Sequence, residues 1–155
     1  VYDRATFQLT TLTATCVLEP GETLESDRVI DQCGPMAVMA LHYAYERQRQ
    51  FGVEPPVHLR DHWERYVALV EQTPEAQRHF RIHAGHGTYL HPDERQFATP
   101  DLIRMTCLVG SPGEMAEQIR SLEDAGLDHV MVLPGFASRY RATEELATRV
   151  FPLLG

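Results

Sequence analysis

A chain of 155 residues has room for one ordinary hydrophobic core and not comfortably for two. Its apolar share of 43% and charged share of 23% exclude a disordered segment, and no apolar run approaches the roughly 20 residues of a membrane-spanning helix. A formal charge of −8, with 14 basic residues scattered rather than gathered in a stripe, argues against nucleic acid and membrane surfaces as partners.

The first element in chain order is "TFQLTTLTATCVL", Thr6 to Leu18, dense in Thr, Val, Leu and Phe and closed by the turn-like Glu19-Pro20-Gly21. Apolar residues fill both phases, so a strand buried on both faces is expected. Val29, Cys33, Met36, Ala37, Ala40, Leu41 and Ala44 then recur at the spacing of one helix face, with Gly52 as a natural stop. Pro35 cannot donate its backbone hydrogen bond, so a kink or restart is expected there. Leu59, Trp63, Tyr66, Val67 and Val70 predict a second amphipathic helix ending before Pro74, and Pro74-Glu75 opens a short third one towards His83.

"AGHGTYLHPDERQF" has the glycines and proline of an irregular loop, and Thr99-Pro100-Asp101 has the form of a helix N-cap with proline at the first helical position. Locally, "DLIRMTCLVG" reads as helix at its start and strand at its "TCLV". Ser111-Pro112-Gly113-Glu114 fits a capping box, followed by a helix carrying Met115, Ile119 and Leu122 on one face and ending at Gly126. "HVMVLP" predicts a short strand of the parallel, doubly covered type, and Ala142 to Leu154 a last helix with Leu146, Val150 and Leu153 inward.

Strands separated by long helical connections pair in parallel, which predicts an α/β fold rich in helix with few parallel strands. Two strands cannot by themselves form a sheet that buries both of their faces. Either more strands hide in the middle or the chain belongs to a larger barrel, and the second answer is the one expected.

Gly110-Ser111-Pro112 with Glu114, the following helix, Ala125-Gly126-Leu127-Asp128 and an apolar strand together resemble the C-terminal signature of the luciferase-like monooxygenase superfamily. Those are flavin- or deazaflavin F420-dependent oxidoreductases built on a (β/α)8 TIM-type barrel, in which the common form is Gly-Thr-Pro-Glu-Glu, a helix, Ala-Gly-Val-Asp and the final barrel strand. The closing "EELATRVFPLLG" looks like that family's last helix, and "TATCVLEPGE" with "GPMAVMALHYAYE" like its seventh strand and the helix after it. Ser111 stands for the usual Thr, and Gly113 where Glu is frequent; neither changes the capping argument.

The resemblance implies one partial domain. Residues 1–50 would be a barrel strand and helix, 51–99 a helical and loop insertion, and 100–155 the last helix, strand and helix. It also implies that "DLIRMTCLVG" is helix, that FMN or coenzyme F420 binds at the barrel mouth with a small-molecule substrate, and that the catalytic residues lie upstream. Val1 in place of Met is compatible with such a fragment, inactive in isolation and inclined to form homo-oligomers through unpaired strand edges. The alternative is a small helical domain that binds or interacts without catalysis.

The pocket residues expected on this mapping are His83, His86 and Tyr89 in "RIHAGHGTYLHP", and Arg139 and Arg141 after the last strand. Glycines let backbone approach a ligand, the imidazoles and phenol can transfer protons, and arginines after a final barrel strand can meet phosphate. His58/His62 and His79/His83 have the i,i+4 spacing of zinc ligands, but neither first His is followed by Glu, so the metalloprotease pattern is missing and no metal is expected. Cys16, Cys33 and Cys107 are far apart in sequence and apolar in surroundings. They read as small buried hydrophobes of a cytoplasmic protein. Gly-x-Ser-x-Gly, Walker and Gly-x-Gly-x-x-Gly patterns are absent from the sequence.

Overall fold

The computed structural model describes residues 6–155; Val1 lies outside them. The stretch from Thr6 to Leu18 makes two strands rather than one, β1 (Thr10–Thr13) and β2 (Thr15–Val17), on either side of Ala14. β1 pairs in parallel with β4 (His129–Val132), Thr10 opposite His129 and Thr13 opposite Val132. β2 pairs in parallel with β3 (Leu108–Gly110), Thr15 opposite Leu108. The carbonyls of Leu9 and Thr13 accept from His129 and Leu133, whereas that of Ala14 accepts from Leu108. Alternate carbonyls of an extended chain face opposite edges, so β4 and β3 flank the stretch on opposite sides, staggered along it.

The fold is therefore α/β, helix-rich, with few short parallel strands. The helices lie on both faces of β2 and β3, whereas β1, expected to be buried on both faces, leaves Thr10 and Leu12 exposed. Ala14, Cys16 and Val109 pack into a cluster with Val29, Cys33, Ala37 and Leu41 of α1 (Asp27–Phe51) and Leu102 and Ile103 of α4 (Pro100–Thr106). Val17 and Leu108 point the other way, to Met115 and Ala116 of α5 (Pro112–Asp124) and to Leu146 and Val150 near the C-terminus. Successive strand residues alternate between the two clusters, as the period of a strand requires. Few short parallel strands of this kind are consistent with part of a barrel.

Four further expectations need correction. α1 runs without restart from Asp27 to Phe51 with Pro35 inside it, ending at Gly52 with φ 65°. A mid-helix proline costs about 3 kcal/mol; burial of its neighbours Cys33, Met36, Ala37 and Val38 offsets that here. "DLIRMTCLVG" is both things in succession, α4 and then β3, because Cys107 adopts an extended backbone that ends the helix. β4 is not doubly covered: it alternates exposed and half-buried residues, since only its Val130 and Val132 face the second cluster. After α6 (Arg139–Glu145) the chain widens into a π turn and then a 3-10 turn, so Leu146 and Val150 are buried but Leu153 is exposed, with Leu154 packing in its place.

α2 (Arg60–Glu71) and α3 (Glu75–His83) form where the periodicity predicts them, and Tyr66, Val70 and Ile82 enter the first cluster. The capping box of α5 is complete: Ser111 Oγ accepts from the Glu114 amide, and the Glu114 carboxylate accepts from the Ser111 amide at 2.7 Å. The three cysteines, far apart in sequence, meet in the core. The Cys107 thiol donates to the Cys33 carbonyl at 3.6 Å, and all three cysteines are free and buried. Among the described residues no helix is long and apolar enough to cross a membrane.

Candidate functional site

The loop between α3 and the short 3-10 turn Pro92–Phe97 closes one side of a cavity at the C-terminal ends of the strands. Two glycines shape it. Gly85 has φ 75°, and a Cβ there would lie 2.6 Å from the Tyr89 ring, which folds back over it. Gly87, φ 69°, sits against Leu133 just past β4. The Phe136 amide then donates to the Thr88 carbonyl at 3.2 Å, joining this loop to the one that leaves β4. Only glycine adopts such left-handed turns without strain.

The cavity holds about 920 Å3 and is walled by Arg28, Asp31, Thr88, Tyr89, Leu90, Gly135, Phe136, Ser138 and Arg141, among others. Its size and mixture of aromatic, apolar and polar groups are those of a small-molecule site. Its place beyond the carboxyl ends of parallel strands is where α/β sheets bind ligands. Pro35 contributes at a distance. With no N–H at that position, the Asp31 carbonyl loses its helical donor, and it lies 3.9 Å from where a Gly135 Cβ would stand. A second cavity, of about 460 Å3, opens between α5, β4 and Leu154, away from the strands' carboxyl ends.

Both arginines of the first cavity are engaged by carboxylates. Arg28 donates from Nε to Glu22 at 2.7 Å and from Nη2 to the Val17 carbonyl at 2.8 Å, with a further short contact to Glu22. Hydrogen bonding from Arg28 holds the Glu22 carboxyl down at about 2, and the same pairing raises the Arg28 guanidinium further above its ordinary range. Arg141 donates to Glu145 at 2.6 Å and to Glu19 at 2.9 Å. These pairs tie the exit of β2 to the start of α1 and to α6.

Behind the loop, between α1 and the 3-10 turn, lies an array of ionisable groups. His42 and Glu94 are only 3% and 2% exposed, so their polar atoms must find partners inside. His42 Nε2 faces Glu94 Oε1 at 3.2 Å, and His42 Nδ1 faces His86 Nδ1 at 3.1 Å. Each contact places one proton between its two atoms, and the tautomers of the two rings set which atom donates. Burial and the neighbouring His42 and His83 push the His86 pKa down, which suits a neutral ring. Arg81 reaches Glu94 at 3.5 Å and Asp93 at 2.5 Å, and Asp93 also meets His91 at 2.6 Å. Burial pushes the Asp93 carboxyl up, but bonds from Arg81 and His91 outweigh it and hold the group ionised. The array pins the 84–91 loop to α1, which fixes one wall of the cavity.

The five expected pocket residues divide three ways. Tyr89 and Arg141 line the cavity. His83 and His86 belong to the histidine region behind it: His83 Nε2 meets Glu46 at 2.9 Å. Arg139 stacks on the Phe136 and Tyr140 rings at 4.2 and 4.4 Å without lining the cavity. Arg28, His42, Glu46 and Glu94 were not singled out from the sequence. His42 alone left a local trace, since it shares the buried face of α1 with Val38 and Tyr45; the others depend on partners brought from distant segments. No family model, curated protein or solved structure matches the chain, so the geometry and the residues themselves carry any functional reading.

Proposed function

We propose that the chain is the C-terminal portion of a flavin- or F420-dependent oxidoreductase of the luciferase-like superfamily, and that the 920 Å3 cavity is its share of the cofactor and substrate pocket. One observation supports this most: the cavity stands beyond the carboxyl ends of parallel strands, between the loop leaving β4 and the loop carrying Tyr89. The terminal motifs Gly110-Ser111-Pro112 and Ala125-Gly126-Leu127-Asp128 supply the family resemblance. The few short parallel strands are consistent with part of a barrel, and the reading rests on the cavity and these motifs.

The residues present suit one part of such a cofactor better than another. Tyr89 and Phe136 offer aromatic surface to a planar ring system, with Leu90 as an apolar wall and the close Gly135 backbone leaving room beside it. A phosphate suits this cavity poorly, because Arg28 and Arg141 already answer to Glu22, Glu19 and Glu145. When bound, the ring system supplies hydride or oxygen chemistry; this chain's residues orient it and exclude water.

Titration of FMN and of F420, followed by their fluorescence, tests the reading on the chain and on the longest polypeptide its gene encodes. Saturable quenching by one of them, weakened more than about tenfold in Phe136→Ala, is expected. Absence of saturable binding of either cofactor in both polypeptides overturns it and favours a non-catalytic binding domain.

A further inference from the structure

The described residues contain one group of metal-ligating side chains that the cavity does not use: Glu46 on α1 with His79 and His83 on α3. Glu46 Oε1 lies 2.9 Å from His83 Nε2 and 3.5 Å from His79 Nδ1, and the potential ligand atoms all lie within 4.8 Å of one another. Ligand atoms bound at about 2.0–2.2 Å in tetrahedral order stand roughly 3.4 Å apart. The observed separations bracket that value.

We propose that Glu46, His79 and His83 form a binding site for a divalent cation of the zinc class. His79 and His83, one helical turn apart, present their rings on the same face of α3, with centroids 4.6 Å apart. The carboxylate comes from another helix, so the three ligands close a clamp between α1 and α3 instead of decorating one surface. The clamp is framed on both sides. Ile82 anchors α3 in the core, and Arg49 ties the end of α1 to Glu75 at the start of α3 at 2.9 Å.

Two imidazoles and one carboxylate form a borderline donor set, better suited to Zn2+, Co2+ or Ni2+ than to the oxygen-seeking Mg2+ or Ca2+. The His79 side chain is 70% exposed, which leaves the remaining coordination position open to water. The other i,i+4 pair serves as an internal contrast. His62 turns to Phe97 and Thr99, and among the described residues no carboxylate joins it and His58 in such a group. The site is independent of the cofactor reading.

The test is titration of the full chain with Zn2+ by calorimetry and with Co2+ by visible absorption, in the wild type and in Glu46→Gln, His79→Ala and His58→Ala. Expected are one equivalent bound per chain, nitrogen- and oxygen-type Co2+ bands, more than about tenfold weaker binding in the first two variants, and unchanged binding in the third. Failure of the wild type to bind one equivalent overturns the proposal. So does binding that survives both Glu46→Gln and His79→Ala, or a thiolate-to-Co2+ charge-transfer band, which would move the ion to the buried cysteines.

Discussion

Replacing Glu22 by Gln probes the ion pair that holds the cavity's Arg28. A carboxyl kept at about 2 instead of 4.5 by its bond from Arg28 corresponds to about 3 kcal/mol, at about 1.4 kcal/mol per tenfold change in proton affinity. Both side chains are about one-fifth exposed, and solvent screening reduces the figure to about 2 kcal/mol. Because the folded-state pKa is depressed, this contribution is fully present above about pH 4.5 and is lost as pH falls towards 2. Urea unfolding across that range should show Glu22→Gln less stable than wild type by 1–2 kcal/mol (an order-of-magnitude figure) near neutrality, with the two curves converging in acid. A deficit under about 0.5 kcal/mol, or one that does not change between pH 7 and pH 3, would refute the reasoning.

Ser111→Ala removes the hydroxyl of the capping box and should cost about 1 kcal/mol in chemical denaturation, with α5 losing hydrogen-exchange protection first at its start. Glu94→Ala leaves Arg81 and His42 without their shared buried partner and should cost about 3 kcal/mol or more; amides of the 84–91 loop should then exchange faster. Leu12 and Met131 stand opposite each other in the β1–β4 ladder, 44% and 58% exposed, so sedimentation should show concentration-dependent association that Leu12→Lys and Met131→Lys relieve. A compact monomer at every concentration would remove the basis for that expectation.

Short-range chemistry settles the caps and stops. The Ser111 cap, the Thr99 N-cap whose hydroxyl accepts from Leu102, and the αL stop at Gly52 depend on residues a few positions apart, and each forms where the local chemistry places it. Elsewhere, distant partners decide. The Thr6 to Leu18 stretch splits at Ala14 because β4 takes its first half and β3 its second, a division no window of sequence contains. "HVMVLP" is unbroken in its apolarity, yet Met131 faces solvent because β4 is covered by the second cluster alone. Glu94 and Glu46 look like ordinary surface acids in sequence. They become partners of His42 and His83 only when α1, α3 and the Pro92–Phe97 turn come together.

The meeting of Cys16, Cys33 and Cys107 has a practical consequence. No thiol of this protein is accessible while the fold is closed, so a chromogenic thiol reagent must wait for the core to part. Its reaction with the folded protein becomes a clock for the separation of α1 from β2 and from the approach to β3, readable without any introduced label.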